Sequence, residues 1–287
     1  MNHKICLITG ANSGIGKAAA IQLAKQGHRV LIGARDRQRG RVALDEIKQQ
    51  SGSEQIELVE MDLSLKSSIL NARTQILSQV RQLDVIVHNA ADFDISRKKP
   101  HITPEGVESI WATNHLGPVF LTQQLLDLLK ASGRARILTV ASKGLVLHPN
   151  LKIDLMDPEF KSRSFSVAKA YYQSKLAQLM YTFWLAEKLA PDQITVNCIR
   201  VPNVKIDISR YPNLSPFLKS LYALKSRFSI SPDEMAAVYT YLSTSADLDH
   251  VSGKYFDENK RMLPSSDYSQ DKKNIEALMT LTYQYLE

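Results

Sequence analysis

The chain has 287 residues, 44% hydrophobic and 23% charged, which is ordinary for a globular protein large enough to bury a core without disulfides. Its two cysteines, Cys6 and Cys198, are too few for a disulfide scaffold, and both lie in apolar runs. The net charge of +7 is too small to indicate nucleic acid by itself, but it suits an anionic small ligand. Neither a secretory signal nor a membrane-spanning run is recognisable, so we expect a cytoplasmic protein.

Apolar strand-like runs alternate with helical patterns from the start of the chain. Six strands are predicted, at 4–10, 29–34, 56–63, 83–91, 134–142 and 194–201. Helices are predicted at 17–27, 38–50, 64–80, 106–132 and 168–190, the fourth bent at Gly117-Pro118. Apolar strands that alternate with helices indicate a parallel sheet covered on both faces. With right-handed crossovers this is a doubly wound α/β sheet, a Rossmann fold, and we expect a single domain over residues 1–287.

Two segments after the sixth strand interrupt this alternation. Residues 203–231 are rich in Pro and Ser and contain a short amphipathic piece, PFLKSLYALKSR. A loop inserted near the carboxyl ends of the strands is where a substrate cover would be expected. Residues 258–287 are expected to form a C-terminal tail.

The turn between the first strand and the first helix reads TGANSGIG, with Gly10, Gly14 and Gly16 in the spacing G-x-x-x-G-x-G. Glycines let the backbone turn tightly and approach a pyrophosphate, whose charge then meets the helix N-terminus. Three glycines alone would fit an ordinary glycine-rich turn equally well. The flanking strand and helix favour nucleotide binding.

The end of the second strand should select the cofactor, because an acidic residue there would bind the free ribose hydroxyls of NAD. Ala34 stands there instead and Arg35 follows it, and a guanidinium suits a 2′-phosphate by charge and bidentate geometry. The sequence therefore predicts NADP(H), although the charge of Asp36 would partly offset the arginine. The remaining arginines of this stretch are expected on a solvated helix face: Arg37, Arg39 and Arg41.

Five motifs follow one another along the chain: TGANSGIG, HNAA at 88–91, TNHLG at 113–117, a serine ending the fifth strand, and YYQSK at 171–175. In this order they resemble the short-chain dehydrogenase/reductase family over residues 4–257. The sequence YYQSKLAQ, the long interval before its first tyrosine and SGKY at 252–255 resemble the retinol dehydrogenase-like branch.

The resemblance implies four catalytic residues. The family pattern Y-x-x-x-K pairs Tyr171 with Lys175, and the neighbouring Tyr172 is expected in the core rather than in a pocket wall. A phenol has a pKa of about 10, and an ammonium one helical turn away favours the phenolate. Tyr171 can then exchange a proton with a substrate oxygen while hydride moves to or from the nicotinamide. By resemblance Ser142 holds the substrate oxygen, and Asn114 holds a water that links the lysine to solvent.

The resemblance also implies a cofactor site. Asp62 matches the residue that contacts adenine, Asn89 the one that supports the central strand and the cofactor, and Lys175 the one that bonds the nicotinamide ribose. The cofactor-binding residues predicted are Gly10, Asn12, Ser13, Gly14, Ile15, Gly16, Arg35, Asp62, Leu63, Asn89, Ala90, Tyr171, Lys175, Pro202 and Val204. No metal site is predicted.

The segment after the sixth strand departs from the family pattern. It reads RVPNVKIDI, where the family has Pro-Gly and then a Thr or Ser that bonds the nicotinamide carboxamide. Asn203 replaces the glycine, and asparagine tolerates left-handed backbone better than most residues. Asp207 stands about where the hydroxyl is expected, and a carboxylate can accept from the carboxamide NH2 but cannot donate to its oxygen.

Two functions therefore stay open. One is an NADP(H)-dependent oxidoreductase that interconverts a carbonyl and an alcohol on a small or medium hydrophobic substrate. The other is a non-catalytic NADP(H)-binding regulatory or interaction protein on the same fold. The resemblance also allows a homodimer that pairs the two long helices.

Overall fold

The computed structural model describes residues 3–205 and 229–287, and its centre is one eight-stranded sheet. The strands are β1 (Ile5–Thr9), β2 (Arg29–Ala34), β3 (Ile56–Glu60), β4 (Val85–His88), β5 (Arg136–Ser142), β6 (Thr195–Val201), β7 (Lys254–Phe256) and β8 (Met262–Leu263). Their order is β3-β2-β1-β4-β5-β6-β7-β8, and all neighbours run parallel except β7 and β8. The predicted doubly wound sheet is confirmed, with two short strands added at one edge.

Helices connect the parallel strands. In the described ranges they are α1 (Gly14–Lys25), α2 (Arg37–Ser51), α3 (Lys66–Gln79), α4 (Ser109–Trp111), α5 (Gly117–Gln124), α6 (Leu126–Ser132), α7 (Val167–Leu189), α8 (Pro232–Thr244), α9 (Asp267–Gln270) and α10 (Lys272–Leu286). None of these helices combines the length and the apolar character that would be needed to cross a membrane.

The sheet separates two apolar cores because successive side chains of a strand point to opposite faces. Cys6 and Ile8 of β1 pack with α1 and α8, whereas Leu7 between them packs with α3, α5 and α7. The central strands β1 and β4 are buried along nearly their whole length, as the sequence pattern predicts for a parallel sheet covered on both faces.

The long helix predicted at 106–132 is divided into α4, a π-helical turn at Ala112–Leu116, α5 and α6. Pro118 has no N–H, so the carbonyl of Asn114 cannot receive the ordinary bond from the residue four positions on. In the π-helical turn the Gly117 N–H instead reaches back five residues to the carbonyl of Ala112. The α-helical pattern is therefore interrupted just before the Gly-Pro pair at which a bend was predicted.

The predicted C-terminal tail contains β8, α9 and α10. Leu278 and Met279 of α10 are buried, the first against Trp111 and α7, the second in the core that α3, α5 and α7 share. The predicted substrate cover at 203–231 falls mostly outside the described residues, as does Asp207.

Candidate active site

The carboxyl ends of the parallel strands meet at one edge of the sheet. Thr9 pairs with Gly33, His88 with Thr139 and Ser142 with Val201, so the loops that follow these strands lie side by side. They surround a cavity of about 540 Å³. Fourteen predicted site residues line it: Gly10, Asn12, Ser13, Gly14, Ile15, Arg35, Asp62, Leu63, Asn89, Ala90, Ser142, Tyr171, Pro202 and Val204.

The glycine turn at one end of the cavity suits a bound pyrophosphate. Gly10 has a φ of +64°, and a Cβ there would lie 2.9 Å from the Cα of Ala90, so the two loops meet closely. The first N–H groups of a helix have no partner within it, and at α1 the side chain of Ser13 does not cap them. Because Ser13 and Gly14 line the cavity, these donors are available to an anion there.

Gly16 lies behind the residues that line the cavity. A Cβ on this glycine would lie 2.5 Å from Nδ2 of Asn89. That amide donates to the carbonyls of Thr9, at 2.9 Å, and Gly10, at 3.3 Å. Asn89 therefore ties the end of β4 to the glycine turn, and Gly16 leaves the space for it.

The end of the cavity beside β2 carries two arginines. Arg35 lines it with a side chain that is 74% exposed, and its Nε lies 4.0 Å from Oδ2 of Asp62, at the limit of an ion pair. Asp36 accepts from the backbone N–H of Arg39 and so caps α2. Arg39, expected on a solvated face, is exposed but also lines the cavity. The carboxylate of Asp36 is thus engaged in capping α2, and the exposed guanidinium of Arg35 is available to a ligand.

Tyr171 and Lys175 meet on α7 as the spacing predicts. Nζ of Lys175 lies 5.7 Å from the centroid of the Tyr171 ring, and Tyr171 lines the cavity. The lysine is 2% exposed, and its Nζ donates to the carbonyl of Val140 at 2.9 Å. Burial lowers the pKa of Lys175 from 10.5 to about 8. The ammonium thus lies over the phenol ring, behind the residues that line the cavity.

Ser142 ends β5 and faces the cavity. Its Oγ accepts from the N–H of Gly144 at 3.2 Å, which starts a short 3-10 helix at Lys143–Leu147. A hydroxyl that accepts one bond can still donate its own proton. Ser142 can therefore be a helix cap and a donor to a ligand oxygen at the same time.

Asn114 lies behind the wall, in the π-helical turn, and is 1% exposed. Its amide donates to the carbonyl of Asp92 at 3.1 Å and to Oγ of Ser174 at 3.0 Å, while its Oδ1 accepts from the N–H of Asp92. Ser174 in turn donates to the carbonyl of Tyr171 at 2.7 Å. The side chain of Asn114 thus joins the loop after β4 to the helix of Tyr171.

Sequence reasoning missed several residues of the cavity wall. Asp92 and Phe93 directly follow the HNAA motif at the carboxyl end of β4, a position that could have identified them. Thr113 lines the cavity from the π-helical turn, which the sequence pattern predicts only as a bend in a longer helix. Tyr172, expected in the core, lines the cavity, and its ring centroid lies 4.7 Å from that of His148.

The segment after β6, whose sequence departs from the family pattern, keeps an ordinary backbone at Asn203. Among the described residues other than glycine, positive φ occurs at Phe160, Gln193 and Lys260, so Asn203 uses ordinary backbone. Its carbonyl accepts from the N–H of Ile230 at 3.1 Å, and Val204 pairs with Ile230 in a parallel bridge. Asn203 and Val204 line the cavity beside Pro202.

Comparison with known proteins agrees with this geometry. The family model described as short chain dehydrogenase matches residues 4–150. Retinol dehydrogenase 13 of Mus musculus is 32% identical over 94% of this chain and 80% of its own length. Retinol dehydrogenase 12 of Mus musculus is 35% identical over 99% of this chain and 86% of its own.

Solved structures share the fold. An uncharacterised protein of Mycobacterium paratuberculosis superposes with a TM-score of 0.73 at 27% identity, over 98% of this chain and 92% of its own. A short-chain dehydrogenase of Shigella flexneri 2a strain 301, complexed with NADP, has a TM-score of 0.67 at 23% identity, covering 90% and 98% of the two chains. The glycine turn, the tyrosine–lysine pair, the sheet and these relatives agree, and the chain belongs to the short-chain dehydrogenase/reductase family of oxidoreductases, in its retinol dehydrogenase-like branch.

Proposed function

We propose that this chain is an NADP(H)-dependent oxidoreductase that interconverts a carbonyl and an alcohol on a small or medium hydrophobic substrate. The observation that carries the proposal is the buried amine of Lys175, 5.7 Å from the centre of the Tyr171 ring, at the cavity that also holds the glycine turn. A non-catalytic nucleotide-binding protein would not need a buried ammonium beneath an accessible phenol.

The nicotinamide supplies or accepts the hydride when it is bound. Tyr171 exchanges the proton with the substrate oxygen, and the ammonium of Lys175 favours the phenolate form. Ser142 donates its hydroxyl proton to the same substrate oxygen. The backbone carbonyl of Asn114, which Pro118 cannot engage, is the group we assign to a proton path from Lys175 to solvent.

The choice of NADP(H) rests on Arg35. Its exposed guanidinium stands at the end of β2, where the ribose of the adenosine lies in this fold, and Arg39 adds a second positive charge. The remaining cofactor contacts we assign to the predicted residues of the cavity wall, with Lys175 on the nicotinamide ribose.

Relatives named retinol dehydrogenases favour an apolar alcohol or aldehyde as substrate.

We also infer a cytoplasmic location, for which cell fractionation is the test. A homodimer through the two long helices is a further proposal. Because α10 packs on α7, such a dimer would have to use the remaining surface of that helix. Sedimentation distinguishes a particle of 32.2 kDa from one of twice that mass.

The decisive experiment follows NADPH oxidation with a panel of apolar aldehydes and ketones. Tyr171→Phe should lower kcat at least about 100-fold and leave NADPH binding saturable, because the ring stays in the cavity wall and only the hydroxyl is lost. Tyr172→Phe is the matched variant, since it removes a tyrosine hydroxyl from the neighbouring position. We expect its kcat to lie within about tenfold of the wild-type value. Saturable NADPH binding without turnover by the wild type would instead support the non-catalytic alternative.

A further inference from the structure

The loop that follows β4, residues 89–97, brings an aromatic ring onto the proposed catalytic tyrosine. Phe93 lines the cavity, and its ring centroid lies 4.2 Å from that of Tyr171 at an interplanar angle of 34°. The Tyr172 ring also packs edge-on to Tyr171, with centroids 5.4 Å apart. The position of Phe93 therefore determines how much room a substrate has beside the phenol.

A partly buried ion pair stabilises the loop that carries Phe93. The guanidinium of Arg97 binds both carboxylate oxygens of Asp92, with Nη1 2.9 Å from Oδ2 and Nη2 3.1 Å from Oδ1. Ser109 completes the group, because its Oγ donates to Asp92 Oδ2 at 2.7 Å and accepts from Arg97 at 2.9 Å. The two charged side chains are 19% and 18% exposed. A forked, satisfied pair of this kind constrains geometry strongly.

The backbone of Asp92 is held from the other side. The side chain of Asn114 bonds both its N–H and its carbonyl and continues through Ser174 to the carbonyl of Tyr171. The residue before Phe93 is thus tied to the helix of the catalytic tyrosine by its backbone, and to Arg97 by its side chain. Arg97 itself does not line the cavity.

We propose that Arg97 is a positioning residue for substrate selection: through Asp92 it holds Phe93 against Tyr171 and so limits the width of the substrate side of the cavity. This inference rests on the proposed function and adds a determinant of substrate shape. Without the guanidinium, the carboxylate of Asp92 keeps Ser109 as its only side-chain partner among the described residues, and the loop that carries Phe93 loses its attachment to Arg97.

The test compares a broad flat substrate with a narrow one, 2-naphthaldehyde and hexanal, in NADPH-dependent reduction. Phe93→Ala should raise the ratio of kcat/KM for 2-naphthaldehyde over hexanal about five-fold, and Arg97→Met should raise it in the same direction. In the Phe93→Ala background, Arg97→Met should change the ratio no further, since the two substitutions act through one ring. If the ratio in the double variant instead equals the product of the two single effects, the inference is overturned.

Arg29→Met is the matched control, because Arg29 also pairs with a carboxylate, that of Glu57, whose Oε1 accepts from Nη2 at 2.8 Å and from Nε at 3.1 Å, between β2 and β3. It should lower stability and leave the substrate ratio unchanged; a shift equal to that of Arg97→Met would refute a local role.

A second measurement does not depend on turnover. Calorimetry gives the Kd of 2-naphthylmethanol and of 1-hexanol for the complex with NADPH, in which an alcohol cannot react. Arg97→Met should shift the ratio of these two Kd values in favour of 2-naphthylmethanol, and an unchanged ratio overturns the inference. A wild type that binds both alcohols but reduces neither aldehyde contradicts the proposed function, while the binding ratio still decides the role of Arg97.

Discussion

At the scale of single residues, Arg35 and Lys175 carry positive charges in very different surroundings. Arg35 is 74% exposed and barely reaches Asp62, so its charge is available to a ligand. Lys175 is 2% exposed and holds its proton against the cost of burial. Each arrangement has a measurable consequence.

Arg35→Ser should raise the Kd for NADPH about tenfold to 100-fold and change the Kd for NADH little, because only the former carries the 2′-phosphate. Fluorescence titration of the reduced cofactors measures both constants. Arg37→Ser is the control, since Arg37 is also exposed, at the start of α2, but does not line the cavity. Equal weakening of both cofactors by Arg35→Ser would contradict the assignment.

Lys175 should make stability depend on pH in the alkaline range. Burial lowers its pKa from 10.5 to about 8, so between these values the unfolded chain holds a proton that the folded chain has released. The free energy of unfolding therefore rises with pH in this window, and Lys175 contributes no slope below pH 8. Urea unfolding of the cofactor-free chain should show this rise in wild type minus Lys175→Met, and a difference that falls above pH 8 would disprove it.

At the scale of elements, α10 is joined to the π-helical turn by one buried hydrogen bond. Thr282 donates its hydroxyl proton to the carbonyl of Leu278 at 2.8 Å, so Nε2 of His115 is the donor to Thr282 Oγ at 2.7 Å. Both side chains are fully buried, and burial lowers the pKa of His115 to about 3, so the ring is neutral. The turn that carries Asn114 thus depends in part on the last helix of the chain.

Thr282→Val should lower the free energy of unfolding by about 1–3 kcal/mol, because it leaves the N–H of His115 buried without an acceptor. Urea denaturation measures the change. Thr74→Val is the matched control: Thr74 makes the same bond to the carbonyl four residues earlier, to Leu70 at 3.2 Å, but on an exposed face. Its effect should stay within about 0.5 kcal/mol, and equal losses in the two variants would refute the role of the buried bond.

At the scale of the whole molecule, the cofactor cavity lies between loops that belong to six strands of one sheet. A ligand there stabilises the folded chain by about 2.7 kcal/mol when its concentration is 100 times its Kd. We propose that residues 1–287 form one domain, for which unfolding should be a single cooperative transition.

NADPH at 100 times its Kd should therefore raise the Tm by about 5 °C in one transition, and NADH at the same concentration should raise it less. Differential scanning calorimetry reads both the number of transitions and the shift. Two separate transitions, of which only one responds to NADPH, would contradict the single domain.

The sequence by itself determined the order of strands and helices as far as β6, the glycine turn and the spacing of Tyr171 and Lys175, because these follow from patterns within a few neighbouring residues. The short strands β7 and β8 escaped prediction because three and two residues are too few to show a period.

Only the tertiary structure decided which side chains share the cavity. Asp92 and Phe93 come from the loop after β4, Arg39 from α2 and Tyr172 from α7, and the packing of the sheet brings them together. A pattern along the chain encodes periodicity and local bonding. Contacts such as Phe93 on Tyr171 or Arg97 on Asp92 depend on how loops at the carboxyl edge of the sheet fold against one another, which local periodicity does not specify.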